Sequence, residues 1–118
     1  ESESSKDPRS ISQSDFKRLF SQQFEYKGLI EALLSTLRNL DMFSVLDMYT
    51  RVGESNKPVL VIWGKLDGVV PHFQSDQLIE AIPQAELVTI EEGTHDITYR
   101  HPSQVGEAIA IFLSNLNK

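Results

Sequence analysis

Apolar and polar positions recur with two different periods along the chain. From Ser14, Phe16, Leu19, Phe20 and Phe24 return every three or four residues behind a serine able to cap, which predicts an amphipathic helix. Gly28 interrupts it, and Ile30, Leu33, Leu34 and Leu37 form a second helical stripe. A third, shorter helix is predicted with Asp41 as its cap and Val45, Leu46 and Tyr49 on its apolar side. The polar stretch 53–57 then breaks the pattern. Val59-Leu60-Val61-Ile62-Trp63 is apolar at every position, introduced by Pro58 and stopped by Gly64. Such a run predicts a strand covered on both faces, as in a parallel sheet between helices. Pro71 opens a predicted helix that buries Leu78, Ile79 and Ile82 and stops before Pro83. Leu87 to Ile90 is a second strand, halted at Glu91-Glu92-Gly93. Pro102 opens the last helix, where Val105, Ala108, Ile109, Phe112, Leu113 and Leu116 keep the cleanest helical spacing in the chain.

The second half is therefore strand–helix–strand–helix, a βαβ unit with a right-handed crossover and a following helix. Two parallel strands cannot cover both faces of the first one. The pattern thus predicts the end of a larger α/β protein, or a chain that pairs with another. On this expectation the chain is not an autonomous folded enzyme: each uncovered large side chain forgoes roughly 1.5–3 kcal/mol, against a net domain stability of about 5–15 kcal/mol. Alone it is expected to aggregate or to dimerise through its open sheet edge. Residues 1–9, polar and serine-rich, are predicted to be mobile.

Composition narrows the function classes. Of 118 residues, 40% are hydrophobic and 24% charged, enough apolar content for one modest globular domain. With 11 basic against 17 acidic side chains, the net charge of −6 disfavours nucleic acid and anionic lipid as partners. No apolar run approaches the about 18 residues of a membrane span. The chain has no cysteine, which excludes disulfides, thiolate metal sites and a cysteine nucleophile within it and fits a reducing, cytoplasmic setting. Its three histidines lack metal-ligand spacing, so neither metal nor cofactor is expected. It opens Glu-Ser-Glu-Ser-Ser without an initiator Met, as a trimmed, processed or internal piece of a longer protein would.

In an open parallel sheet, ligands bind beyond the carboxyl ends of the strands. The loop after the first strand holds one acid between glycines, Asp67; the loop after the second holds His95, behind Gly93 and Thr94. Parallel strands joined by one crossover deliver both to the same sheet edge. An acid accepting from one imidazole nitrogen, with the other nitrogen open, is the orienter–base pair of nucleophilic catalysis. Asp96 is the rival acid, though an immediate neighbour in sequence usually points elsewhere. His72 and His101 stand beside prolines at helix starts and suit surface or capping roles. Glu91-Glu92 reads as a solvated turn, Trp63 as strand core, and the stripe Ile30 to Leu37 mostly as core, with part of it available to an acyl pocket.

Lys57-Pro58-Val59-Leu60-Val61-Ile62-Trp63-Gly64-Lys65-Leu66-Asp67, then Val70-Pro71, then Ile82-Pro83-Gln84-Ala85-Glu86-Leu87, resembles the late part of an α/β-hydrolase fold protein. In that family a strand ending in Gly-x-x-Asp carries the triad acid and a Gly-x-His after the last strand carries the base; the resemblance implies these roles for Asp67 and His95. It also implies that the helix from Pro102 is the family's last helix. Tyr26-Lys27-Gly28 followed by Ser35-Thr36-Leu37-Arg38 falls where the family inserts its helical cap. The implied fold class is α/β, a C-terminal fragment of an α/β-hydrolase fold: parallel strands with covering helices preceded by a helical cap. The expected organisation is a flexible segment over 1–13, a cap or lid over 14–56 and the C-terminal part of the catalytic domain over 57–118.

One family element is absent from the sequence. The Gly-x-Ser-x-Gly nucleophile elbow precedes the acid and the histidine in chain order, whereas Gly28 and Gly53 are the only glycines before Pro58 and neither belongs to such a motif. The expected function is thus the C-terminal portion of an esterase- or lipase-like hydrolase acting on a small apolar ester. Its nucleophile would come from the missing N-terminal half of the fold, in the same or a companion chain. Two alternatives stay open: a truncated or degenerate hydrolase-like module used for binding, and an epoxide- or haloalkane-type hydrolase with an aspartate nucleophile.

Overall fold

The computed structural model describes residues 7–40 and 45–116. They fall into two compact units, one over residues 11–40 with 45 and one of residues 7–10 together with 46–116.

The first unit is two helices. α1 (Gln13–Gln23) is capped by Ser12, whose Oγ accepts from the Asp15 amide at 3.1 Å and donates to Asp15 Oδ2 at 2.8 Å. The cap falls on Ser12 and not on Ser14 because Ser12 has a carboxylate three positions on to answer it. Along one side of α1, Phe16 stacks on Phe20 with centroids 6.0 Å apart, and Phe20 meets Phe24 edge-on at 5.3 Å. Gly28, at φ +87°, turns the chain into α2 (Leu29–Asn39), a left-handed step that a side chain rarely takes. The stripe Ile30, Leu33, Leu34 and Leu37 is exposed, where core was expected. Asp41, the expected cap of the third helix, lies outside the described residues.

The second unit runs α3 (Leu46–Glu54), β1 (Val59–Gly64), α4 (Gln74–Ala81), β2 (Ala85–Ile90), α5 (Ile97–Arg100) and α6 (Pro102–Leu116). β1 and β2 pair in parallel from Val59 opposite Ala85 to Gly64 opposite Ile90. α3 packs on α4, and α6 on β1. Two boundaries and one element differ from expectation. β2 begins two residues earlier, at Ala85, because Pro83 ends α4's reach and the ladder pairs from there. α4 begins at Gln74, since Pro71 opens a turn (Gln74 N to Pro71 O, 2.9 Å) before the helix proper. The single-turn helix α5 has too few residues to leave a periodic signature.

Both ends of the sheet are tied down. At the amino end the Gln84 side-chain amide donates to the carbonyls of Gly53 (3.1 Å) and Lys57 (3.2 Å), fastening the α3–β1 turn to the start of β2. At the start of α6, the Ser103 amide and hydroxyl both donate to the Asp7 carboxylate at 2.8 Å. Residues 7–9, within the segment expected to be mobile, are thus held by a helix cap; residues 1–6 lie outside the described residues. Among the described residues the buried apolar side chains are Ile82 and Ile90. Val59 to Trp63 is half-buried, because β1 pairs along one edge only with a described strand. On α6 the stripe divides: Val105, Ala108 and Phe112 are half-covered, while Ile109, Leu113 and Leu116 stay open. Among the described residues no helix is long and apolar enough to cross a membrane.

At the carboxyl end the strands come closest through glycine. A Cβ on Gly64 would sit 2.5 Å from the carbonyl oxygens of both Gly93 and Thr94, backbone atoms that have nowhere to go. In the protein that includes the rest of the sheet, Gly64→Ala is therefore expected to lower stability by about 1–3 kcal/mol, read as a lower urea midpoint. Gly68→Ala, with nothing within 4 Å of the added carbon, is the control and should leave the midpoint nearly unchanged.

Candidate active site

Beyond Gly64 the parallel ladder continues for two further bonds, Lys65 N to Ile90 O at 3.0 Å and Leu66 N to Gly93 O at 2.8 Å. The chain then turns back on Asp67. Its Oδ1 accepts from the amides of Val69 (2.9 Å) and Val70 (2.8 Å), the turn chemistry for which aspartate is favoured. Trp63 Nε1 donates to the Val70 carbonyl at 3.0 Å, so the peptide groups around Val70 are held from both sides. The sequence assigned Trp63 to the strand core; its second role was readable from the rule that a covered indole N–H needs an acceptor.

With Oδ1 satisfied by the backbone, Asp67 Oδ2 faces His95 Nδ1 at 3.0 Å. The carboxylate is nearly buried, its side chain 8% exposed, whereas the imidazole is 56% exposed. Burial alone would push the Asp67 carboxyl up. The Val70 amide, the His95 ring and the Val69 amide outweigh it and hold the group below the ordinary carboxylate range. An ionised carboxylate only accepts, so Nδ1 carries the proton of the shared bond. That fixes the tautomer and leaves the lone pair of Nε2 open. Among the described residues Nε2 makes no hydrogen bond.

The other candidates stand apart from this pair. Asp96 turns its oxygens to Thr94 and Arg100, not to His95. His72 is half-buried, its Nε2 2.9 Å from Thr89 Oγ1 on β2, which ties the Pro71 turn to the sheet. The backbone of His101 joins α5 to α6, its amide on Ile97 O at 2.8 Å and its carbonyl accepting from Val105 at 3.0 Å. Glu91 pairs with Lys65 at 2.6 Å on the surface, a contact of small energetic weight. Among the described residues no three histidine or acidic side chains gather as metal ligands would.

A parallel βαβ unit thus presents an acid–imidazole pair beyond its strand ends. Comparison with known proteins names the family. Residues 6–102 match the family model for the alpha/beta hydrolase fold, and the chain belongs to that family. It is 33% identical over 79 residues to the protein named "Putative carbamate hydrolase RutD" of Agrobacterium fabrum, covering 67% of this chain and 30% of that protein. It is 33% identical over 69 residues to a 2-hydroxy-6-oxononadienedioate/2-hydroxy-6-oxononatrienedioate hydrolase of Cupriavidus pinatubonensis, covering 58% and 24%. A pimeloyl-[acyl-carrier protein] methyl ester esterase of Hamiltonella defensa is 33% identical over 94 residues, covering 80% and 34%. The chain thus spans about a quarter to a third of the length of these relatives. An alpha/beta fold family hydrolase from Bacillus anthracis superposes on 87% of the chain and 43% of its own, with a TM-score of 0.56 at 20% identity, a likeness of fold.

The lowered Asp67 pKa fixes the sign of a pH effect. In the acid range the unfolded state binds the proton that the folded state refuses, so stability rises with pH there. The contribution of Asp67 is present above the ordinary carboxylate range and is lost as pH falls through the folded value. Urea midpoints of the intact hydrolase and its Asp67→Asn variant should therefore differ most near neutrality and converge as pH falls below the ordinary carboxylate range. A gap that stays constant with pH contradicts the assignment.

Proposed function

We propose that this chain supplies the acid–histidine part of a hydrolase that cleaves carboxylic esters or similar small apolar acyl substrates. The nucleophile comes from a segment outside the chain, in the same or a companion polypeptide, and the setting is cytoplasmic. The 3.0 Å bond between Asp67 Oδ2 and His95 Nδ1, with Nε2 open, carries this reading. As the nucleophile's hydroxyl attacks an acyl carbon, its proton passes to His95 Nε2. The imidazolium so formed faces the Asp67 carboxylate, which offsets its charge, and the proton is then donated to the departing alkoxide. A water molecule repeats the cycle to release the acid. The names of two relatives, a carbamate hydrolase and a methyl ester esterase, support an acyl substrate.

Within the same proposal, residues 14–56 form the cap and residues 57–118 the end of the catalytic domain. The half-buried β1 and the open flank of α6 receive the rest of the sheet. Two experiments test the two halves of this statement. In the protein that includes the nucleophile-bearing segment, Asp67→Asn should lower turnover of p-nitrophenyl acetate by up to ~10⁴, with the circular dichroism spectrum unchanged, and His95→Ala at least as much. Near-normal turnover in either variant contradicts the roles given. Residues 1–118 expressed alone should aggregate or dimerise; a soluble monomer with a cooperative thermal transition overturns the need for a completing partner.

A further inference from the structure

Asp96 directly follows His95 and occupies the N-cap position of α5, where an aspartate ordinarily bonds the amides of its own helix. Its side chain makes no such bond. Oδ1 instead accepts the Thr94 hydroxyl at 2.5 Å, and Oδ2 accepts Arg100 Nε at 2.7 Å. Burial works against ionisation of Asp96, but the Thr94 hydroxyl and the Arg100 guanidinium outweigh it and keep its carboxyl below the ordinary range.

We propose that Thr94, Asp96 and Arg100 form a clasp around His95 in which Asp96 is the positioning residue for the imidazole. This rests on His95 being the base of the proposed reaction. Within this chain the ring is more than half exposed, so the chain's own packing does not hold it. Gly93, two residues before it, is pressed against Gly64 and has no side chain to lend. The Nδ1 bond to Asp67 fixes one point of the ring and leaves it free to pivot. The clasp supplies the second constraint. It joins the residue before His95 to the residue after it, then joins that residue to the end of α5, and so holds the backbone from which the ring projects. The anchor is firm, because the Tyr99 and Arg100 amides both bond the Asp96 carbonyl and the chain runs on into α6. The clasp has a second effect. With both oxygens engaged, Asp96 does not compete for the Nδ1 proton, and Asp67 is left as its one acceptor.

The test uses the intact hydrolase and reads both kinetics and the low-field NMR resonance of the His95 Nδ1 proton. Asp96→Ala and Thr94→Val should each lower kcat on p-nitrophenyl acetate by about tenfold to hundredfold, with KM changed less than about twofold. In both, the Nδ1 resonance should broaden through exchange with water. Thr94→Ser, which keeps the hydroxyl, should retain parental kcat and a sharp resonance. Full kcat and a sharp resonance in folded Asp96→Ala or Thr94→Val overturn the clasp. Should Asp96→Ala not fold, the Thr94 pair at its exposed position decides alone. Asp67→Asn separates the two levels: near-normal turnover there overturns the catalytic reading, and the resonance in the Thr94 variants still decides whether the clasp holds the ring.

Discussion

Two loops leave the sheet side by side because the backbones of Gly64 and Gly93 touch. Any side chain at Gly64 would collide with the carbonyls of Gly93 and Thr94, so the approach depends on the missing Cβ. The contact lets the ladder run past the strand ends through Lys65 and Leu66. Asp67 then lies three residues beyond one glycine and His95 two beyond the other, and a single hydrogen bond spans the gap. The tolerance is narrow. A separation of the loops by about 1 Å would stretch a 3.0 Å bond beyond useful length.

The two aspartates beside His95 show how local bonding assigns different tasks to the same side chain. Asp67 has one oxygen committed to backbone amides and the other to the ring, so it is fixed in place and oriented at once. Asp96, closer in sequence, is committed to Thr94 and to Arg100. Both carboxyls stay ionised against the cost of burial, each by its own donors. Proximity along the chain therefore says little about partnership. The direction in which the backbone projects each carboxylate decides it.

Much of this was legible in the residues. The unbroken apolar run Val59 to Trp63 marked a strand, the spacing from Val105 to Leu116 marked the last helix, and parallel strands joined by one crossover placed Asp67 and His95 at one edge. What escaped was set by tertiary contact or by short range. Ser12 and Ser14 are both plausible caps until Asp15 is seen to answer the first. Pro71 starts a turn because the following residues bend before they coil. The clasp on His95 involves a four-residue helix, too short for periodicity to reveal, and in the sequence Asp96 stands only as a rival acid to Asp67. The even half-burial of β1 agrees with the reading that the two strands of this chain cannot cover both of its faces.

The cap of α6 has a consequence for how the chain folds. A helix whose first turn is closed by its own neighbours can start from local contacts alone. The acceptor for the Ser103 amide is Asp7, 96 positions back, and bringing it there means closing a loop of nearly the whole chain. Helix nucleation is the costly step, and a cap that arrives so late cannot assist it. The helix from Pro102 to Leu116 must therefore draw its stability from packing, and it is the side of α6 bearing the half-covered Val105, Ala108 and Phe112 that is shielded, with α6 lying on β1. Asp7 closes the structure like a latch drawn after the door is shut.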